Sequence, residues 1–195
     1  NGQFFGLYLA EGNSDVKSGK ICITNNDSKI LQFVESWFDK INITHKTYTK
    51  NTIGISTTIQ GYNTLLAKII INMVGSSSCN KKIPDEAMNA PEEFVTGLLN
   101  GYFSGDGHIT KNSIESSSAS QELTEGISML LSRLGIFSSM SVSQLKENNF
   151  GTKNIAPSYR LFVRSRYAIK FANKISLMHD AKDKDLQEFI NRKSI

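Results

Sequence analysis

The sequence predicts an α/β (α+β) fold in which an αββαββα unit occurs twice around a pseudo-two-fold axis. Two uncharged helical runs each end in an acidic residue and a glycine, and Gly107 of the second run lies 95 positions after Gly12 of the first. The order of strand, helix and hairpin signals after each run is the same. Apolar positions also coincide when the halves are aligned. We therefore predict repeats at 1–90 and 91–195 within one compact domain.

The two helical runs carry small residues at every fourth position. Positions i and i+4 are neighbours on an α-helix, so these residues share one face. They are Gly2, Gly6 and Ala10 in the first run, and Gly97, Gly101 and Gly105 in the second. Glycine inside a helix costs about 1 kcal/mol relative to alanine. We expect the faces around Gly6 and Gly101 to pack backbone to backbone, and two core helices with glycine C-caps are the alternative.

One carboxylate stands at the end of each of these runs, Glu11 in the first and Asp106 in the second. The helix macrodipole makes an anion unfavourable in the last helical turn. Packing the two helices together would also bring the two negative charges close to each other. The pair therefore predicts a site for a cation or for chemistry on nucleic acid.

The rest of the first half alternates between strand and helix signals. They are, in order, a polar turn at 13–19, a half-buried strand at 20–24, an amphipathic helix with apolar residues from Ile30 to Ile41, a hairpin at 45–50 and 52–57, a helix at 64–74 and a serine-rich linker at 75–80. Together with the N-terminal helical run, these signals predict the αββαββα order.

The second half repeats this order at a changing spacing. Six apolar positions in 30–43 have apolar counterparts 93 positions later, and a spacing of 106 then matches 53–69 to the second hairpin and helix. The increase of 13 residues predicts a longer hairpin loop at 146–158, where glycine, asparagine and proline are frequent. The charged residues 180–195 have only a weak apolar stripe, so we predict a short surface helix there.

Composition limits the classes of protein that are compatible with this chain. With 195 residues and 39% hydrophobic content, the chain can form a substantial core. A net charge of +4 allows a basic surface but does not by itself indicate DNA binding. Cys22 and Cys79 lie in dissimilar contexts without a C-x-x-C motif, which argues against a disulfide framework or a zinc site. No long apolar run or signal peptide is present, so we expect an intracellular protein without membrane association, in nucleus, organelle or cytoplasm according to its host.

The two helical runs resemble the paired motifs of the LAGLIDADG homing endonucleases in their single-chain form. The acidic eighth position of the motif falls on Glu11 and Asp106. The sixth position, which is often acidic in the family, is Leu9 and Ser104 here. Residues 81–85, together with the first motif, also resemble the endonuclease domains found inside inteins. The resemblance covers nearly the whole chain and implies the homing-endonuclease fold, with two antiparallel DNA-binding β-saddles.

This resemblance implies a metal-dependent, site-specific endonuclease. Such an enzyme hydrolyses phosphodiester bonds of a long double-stranded DNA target and initiates homing of its intein or intron. Glu11 and Asp106 would be catalytic and would hold Mg²⁺, assisted by the backbone carbonyl groups of Ala10 and Gly105, and Mn²⁺ would be able to substitute for it. The chemistry agrees with this, because Mg²⁺ accepts one or two protein carboxylates and keeps several waters, one of which can be activated.

The resemblance also implies a lysine near each acid. Lys17, Lys20 and Lys111 are the candidates for this role. The segment 114–120, which follows the second motif, contains no basic residue. We therefore expect the second half of the active site to lack a basic partner, and the two DNA strands to be cut at unequal rates.

Side chains on the polar faces of the predicted strands form the candidate DNA-binding surface. A two-stranded ribbon fits the major groove, where arginine reads guanine and lysine meets phosphate. The candidates are Lys20, Thr24, Lys46, Tyr48 and Lys50 in the first half, and Arg160, Phe162, Arg164 and Arg166 in the second. For each residue taken alone, a solvated surface position is the alternative. The three histidines are scattered along the chain, and we expect none of them to bind a metal.

We expect a monomer with internal pseudo-symmetry that binds double-stranded DNA and is embedded in a host protein as part of an intein. Two other functions remain open at this stage. They are a DNA-binding relic that no longer cleaves, and an RNA-binding, maturase-like protein. Self-splicing is not expected, because neither Asn1 nor Ile195 is the residue that splicing requires at that end.

Overall fold

The computed structural model describes residues 1–51, 54–144 and 157–193. The first unit contains α1 (Gly2–Glu11), β1 (Gly12–Asp15), β2 (Lys20–Asn25), α2 (Ser28–Lys40), β3 (His45–Asn51), β4 (Ile55–Tyr62) and α3 (Thr64–Val74). The second unit contains α4 (Glu92–Asp106), β5 (Gly107–Ile109), β6 (Ser113–Ser118), α5 (Gln121–Arg133), β7 (Ser139–Gln144), β8 (Pro157–Arg164) and α6 (Ser165–Lys174). A 3₁₀ helix (Asp85–Met88) lies in the connection, and α7 (Asp180–Lys193) follows α6. The predicted α+β fold with a duplicated αββαββα order is confirmed.

Each unit contains one four-stranded antiparallel sheet. The strand orders are β1-β2-β4-β3 and β5-β6-β8-β7, so the two sheets have the same topology. The inner strands of each sheet bury apolar residues on the inner face, as at Ile21 and Ile23 of β2 and at Leu161 and Val163 of β8. Helices α2 and α3 pack against the first sheet, α5 and α6 against the second, and α1 and α4 lie in the centre. Within the described part of the chain, no helix has both the length and the apolar character of a membrane span.

Equivalent residues of the two sheets can be identified from their pairing partners. Ile59 of β4 lies opposite Ile23 of β2. Leu161 of β8 lies opposite Ser116, which is 93 positions after Ile23. The spacing from Ile59 to Leu161 is thus 102, and the predicted spacing of 106 is wrong. Alternate residues of a strand share a face, so an apolar pattern fits equally well after a slip by an even number of residues. Residues 146–156 of the predicted loop lie outside the described residues.

Two strand boundaries also differ from the prediction. The segment expected to be a turn at 13–19 begins with strand β1, which pairs with β2 through Asn13 and Cys22, and only 16–19 forms the turn. This strand has no apolar alternation, because it lies at the edge of the sheet. The second hairpin strand was expected at 52–57, whereas β4 begins at Ile55 and extends to Tyr62.

The C-terminal helix α7 lies at the surface and buries one apolar stripe against the core. Leu186 and Phe189 are fully buried, and the helix packs against α6 and β5. These two residues belong to an apolar stripe that is hard to recognise in the sequence, because charged residues outnumber apolar residues in α7. The prediction of a surface helix at 180–195 is therefore confirmed for the described residues, and its apolar stripe packs more tightly than its weak pattern suggests.

Helices α1 and α4 approach each other so closely that their glycines leave no room for a side chain. A Cβ atom at Gly6 would lie 2.0 Å from the carbonyl oxygen of Leu98, and one at Gly101 would lie 2.1 Å from that of Gln3. Contacts advance in the same direction along both helices, because a Cβ atom at Gly105 would meet the Cβ atom of Ala10. The helices are thus parallel, and their C-terminal ends lie side by side. This is the packing that the stripes of small residues predict.

Candidate active site

The chain passes directly from helix to strand at both acidic residues. Gly12 and Gly107 follow them in extended backbone, with φ of −84° and −72°, and begin β1 and β5. Left-handed glycine caps, which the alternative reading of these helices would favour, are therefore not what ends them. Glycine is needed here for space, because a Cβ atom at Gly12 would lie 2.4 Å from the ring of Tyr8 and one at Gly107 would lie 2.2 Å from the carbonyl oxygen of Phe103.

The two carboxylates, Glu11 and Asp106, lie together where α1 and α4 end. Burial raises the pKa of Asp106 to about 7, and the charge of Glu11 contributes to the rise, while Lys81 and Lys182 oppose it. Burial also raises the pKa of Glu11. A hydrogen bond of 2.5 Å from the Asn25 amide to Glu11 Oε2 acts in the opposite direction. Two acids are thus held in a setting where carrying both negative charges is unfavourable.

Two lysines lie close to these carboxylates. Lys81 Nζ donates hydrogen bonds to the carbonyl oxygens of Tyr8, at 3.0 Å, and Ala10, at 3.5 Å. Lys182 Nζ donates to the carbonyl oxygens of Ser104, at 2.8 Å, and Gly105. The last carbonyl groups of a helix lack partners within the helix and carry partial negative charge, so a lysine at each end is favourable. Burial lowers the pKa of Lys81 to about 8, while Asp106 and Glu11 oppose the shift.

The three lysines predicted for this role lie elsewhere. Lys17 is exposed in the turn after β1, Lys20 is in β2, and Lys111 is exposed between β5 and β6. The second half does have a basic partner, Lys182, so the expectation that it lacks one is wrong. Lys182 lies 101 positions after Lys81, which is also the spacing between the buried alanines of α3 and α6, Ala67 and Ala168. Correct alignment of the two repeats would have found the pair.

Polar residues of α4 anchor the segment that leads to Lys182. Ser104 is fully buried, and its Oγ accepts a hydrogen bond of 2.8 Å from the backbone N–H of Met178. The Asn100 amide donates to Ser176 Oγ at 3.5 Å. Ser104 is the sixth motif position, where the first helix has the apolar Leu9. The unusual residue at this position therefore has a structural role in placing the lysine.

A second set of contacts joins the start of α7 to the start of α2. Lys29 and Asp180 form an ion pair. His179 Nδ1 lies 3.7 Å from Asp27 Oδ2, and Asp27 also caps α2 by accepting hydrogen bonds from the N–H groups of Lys29 and Ile30. These contacts bridge the two units beside the active site, and His179 and Lys182 line a cavity of about 470 Å³ together with Glu11. Asp106 lines a separate cavity of about 240 Å³ in the second unit.

The predicted DNA-binding residues of the strands lie on the outward faces of the two sheets. Lys46 of β3 lies opposite Gln60 of β4, and Gln60 lies opposite Cys22 of β2. All three are on the side of the sheet that faces away from the buried Ile21 and Ile23. The same side carries Lys20, Thr24, Tyr48 and Lys50 in the first sheet, and Arg160, Phe162 and Arg164 in the second. Arg166 differs from the prediction, because β8 ends at Arg164 and Arg166 is in α6.

Both units of the chain match one known protein family. Residues 1–78 and 93–176 match the family described as LAGLIDADG-like domain. The chain belongs to this family. The two matched ranges correspond to the two units of the fold, and each includes one of the LAGLIDADG helices that end in Glu11 and Asp106.

Curated proteins that are similar to this chain are much longer than it is. One is the DNA-directed RNA polymerase subunit Rpo1C of Methanocaldococcus jannaschii, which is 35% identical over 97% of the chain and 21% of the relative. Another is the replication factor C small subunit of the same organism, which is 27% identical over 96% of the chain and 10% of the relative. The chain therefore spans about a fifth or less of these relatives.

Solved structures with the same LAGLIDADG fold include a homing endonuclease. I-DmoI, solved in complex with DNA and Ca, has a TM-score of 0.67 and 15% identity over 96% of both chains. Other I-DmoI structures contain DNA with Mn. Full-length DUF199/WhiA from Thermatoga maritima has a TM-score of 0.65 and 12% identity over all of this chain and 60% of that one. At these identities the likeness shows the fold alone.

The donor set at the ends of the LAGLIDADG helices fits a divalent cation. Burial raises the pKa of Asp106 most and the charge of Glu11 adds to the rise, and a cation between two such carboxylates would remove that repulsion. Two carboxylates also match what Mg²⁺ takes from a protein when it keeps most of its waters. The carbonyl groups of Ala10 and Gly105, predicted as further ligands, accept hydrogen bonds from Lys81 and Lys182 in this structure.

Proposed function

We propose that the chain is a metal-dependent, site-specific DNA endonuclease that cuts both strands of a long double-stranded target. One observation carries this proposal. Two carboxylates and two lysines converge where the parallel helices α1 and α4 end, between two sheets whose outward faces carry basic residues. The likeness to I-DmoI bound to DNA supports the same function. Both acids belong to one chain, so a monomer supplies the whole site.

The residues of the site divide the chemistry between them. Glu11 and Asp106 would hold Mg²⁺ or Mn²⁺, which lowers the pKa of a bound water and neutralises charge on the phosphate. Lys182 places a positive charge beside Glu11. Lys81, with a pKa of about 8, can accept or release a proton at Nζ near neutral pH. Each lysine also fixes the backbone just before one acid, which limits the movement of both carboxylates.

We further propose that the chain is an inserted element within a host protein and that its cleavage initiates homing. Similar segments occupy a tenth to a fifth of proteins whose names share no function, such as an RNA polymerase subunit and a replication factor subunit. A family segment that occurs within otherwise different proteins fits an intein better than a domain that serves the host's activity.

The test uses Glu11→Gln and Asp106→Asn, which keep the shape of each side chain but remove its charge. We expect both variants to bind DNA as the wild type does and to lose double-strand cleavage of a plasmid library in Mg²⁺ or Mn²⁺. Each single variant should accumulate nicked product, because one carboxylate remains. Glu122→Gln, an exposed carboxylate on α5, is the matched control and should cleave normally. Full cleavage by the double amide variant would reject the proposed site.

A DNA-binding protein that does not cleave is the second candidate function. The observation in its favour is that DUF199/WhiA, which is not described as an endonuclease, matches this fold over the whole chain. The same assay separates the two functions. Sequence-specific binding by the wild type without any nicking in Mg²⁺ or Mn²⁺ would favour this second function.

A further inference from the structure

The outward faces of the two sheets carry their positive charge on different strands. Pairing partners identify the equivalent positions, because Lys46 lies opposite Gln60 just as Ser139 lies opposite Phe162. On the edge strands, Lys46, Tyr48 and Lys50 of β3 correspond to Ser139, Ser141 and Ser143 of β7. On the inner strands, Thr58, Gln60 and Tyr62 of β4 correspond to Arg160, Phe162 and Arg164 of β8. Besides Lys20 on β2, the first face has two lysines on its edge strand, whereas the second face has arginines on its inner strand.

The two edge-strand lysines of the first face are unconstrained point charges. Lys46 and Lys50 are exposed on the edge strand, and neither forms an ion pair with any residue that the structure describes. A flexible ammonium group of this kind meets DNA phosphates well but has no fixed geometry with which to distinguish base edges. Contacts of this kind strengthen binding to every sequence.

The arginines of the second face are held in place. Arg160 Nη2 lies 3.0 Å from Glu115 Oε2, and the guanidinium group lies 5.1 Å from the centre of the Phe162 ring. The guanidinium group of Arg164 lies 4.3 Å from the same ring. Glu115 is itself fixed, because its Oε1 accepts a hydrogen bond of 2.5 Å from Ser113 Oγ. Two planar donor groups are thus fixed around one aromatic side chain.

Arginine fixed in this way suits the reading of guanine. A guanidinium group donates two parallel hydrogen bonds to O6 and N7 of guanine in the major groove, and pre-ordering the group reduces the entropy lost on binding. Among the described residues, Arg160 donates a hydrogen bond to Glu115 through Nη2, and its Nη1 donates to none of them, so Nη1 and the second N–H of Nη2 can face a base. The neighbouring positions of β7 are serines, which are short enough to let the duplex approach both arginines.

We propose that the second sheet supplies the stringent sequence discrimination, at guanines read by Arg160 and Arg164, and that the first sheet mainly binds phosphate. This inference rests on the proposed function in that both faces contact one DNA duplex. Glu115 acts as a positioning residue, because it orients Arg160 and does not itself contact a base.

The experiment selects bound sequences from a randomised duplex library, in chelator so that no DNA is cut, and measures base preference at every position. We expect the strongest preferences to be guanines in one half of the target. Arg160→Lys and Arg164→Lys keep the positive charge but lose the planar guanidinium group. Each should reduce the preference for guanine over other bases at one position by on the order of ten- to a hundredfold. Glu115→Gln should weaken preference at the same position as Arg160→Lys.

Variants of the first face provide the contrast. Lys46→Ala and Lys50→Ala should weaken binding to all sequences alike and reduce the salt dependence by about one ion each. Guanine preference that survives both Arg160→Lys and Arg164→Lys would overturn the inference. Base preferences that are equally strong in both halves of the DNA target and that depend on Lys46 would also overturn it. Either result would leave the endonuclease proposal standing. A wild type that binds no member of the library would instead reject the proposed function itself.

Discussion

Asp106 combines burial with a neighbouring negative charge, and this makes its protonation part of folding. Its pKa rises from 3.8 to about 7, with burial as the largest cause and Glu11 as a further one. Between pH 4 and 7 the folded state therefore keeps a proton that the unfolded chain has already released. The free energy of unfolding consequently falls as pH rises through this window. Metal binding to the same carboxylate would oppose the loss.

We predict that the protein in chelator is less stable at pH 7 than at pH 5, and that Asp106→Asn shows a smaller decrease. Urea denaturation at a series of pH values measures both. Added Mg²⁺ should stabilise the wild type more at pH 7.5 than at pH 5, because the cation competes with the proton for the carboxylate. Identical pH profiles for wild type and Asp106→Asn would contradict the assignment.

The two active-site lysines occupy similar but distinct places, and this predicts an effect on individual DNA strands. Lys81 contacts the end of α1, whereas Lys182 contacts the end of α4. We predict that Lys81→Met and Lys182→Met each slow cleavage of one strand more than of the other, and that the favoured strand differs between them. Strand-labelled DNA measures the ratio of the two rates, which a general loss of stability would not change. Equal slowing of both strands by both variants would argue against separate roles.

At the scale of the secondary-structure elements, the contact between α1 and α4 predicts a large effect from a single methyl group. A Cβ atom at Gly101 would lie 2.1 Å from the carbonyl oxygen of Gln3 and 2.8 Å from the backbone nitrogen of Leu7. Both are backbone atoms, so only separation of the helices relieves the overlap. We predict that Gly101→Ala lowers the free energy of unfolding by more than the roughly 1–3 kcal/mol typical of core overpacking.

Gly54 offers the matched control for this substitution. A Cβ atom there has no neighbour within 4 Å among the described residues. Gly54→Ala should therefore change stability by no more than about 0.5 kcal/mol. Thermal unfolding of both variants makes the comparison, and a Gly101→Ala protein as stable as Gly54→Ala would show that the helices are not in backbone contact.

Local patterns predicted the helices well and the strand register poorly. Helix α3 was predicted at 64–74 and spans Thr64–Val74, because Asn63 caps its start and a glycine, Gly75, ends it. A helix repeats every 3.6 residues, so its apolar face has a unique phase, whereas a strand repeats every two residues and allows slips. No local sequence pattern predicts that Lys182 reaches the site, because Lys182 lies 76 positions after Asp106 in the chain. Contacts of its segment with Ser104 and α2 hold it there.

For the molecule as a whole, the net charge of +4 is small, so its distribution decides how it acts. Basic residues on the outward sheet faces would displace counterions from DNA, and affinity should fall steeply as salt concentration rises. We predict that Lys46→Glu and Arg164→Glu weaken DNA binding and reduce this salt dependence while the protein stays folded. Lys68→Glu is the control, because α3 packs against the inner face of the first sheet. Equal effects of all three reversals on DNA affinity, measured by titration, would mean that the sheet faces are not the binding surface.

The duplicated units are joined in one chain, and their outward faces have diverged. Where the first face has Lys46, Tyr48 and Lys50, the second has three serines, and where the second has Arg160 and Arg164, the first has Thr58 and Tyr62. A homodimer would have to read a palindrome, because each change on one face would appear on the other. In this chain the helix pair keeps the symmetry of the fold. Because the two faces differ, a DNA site that fits both of them is not a palindrome.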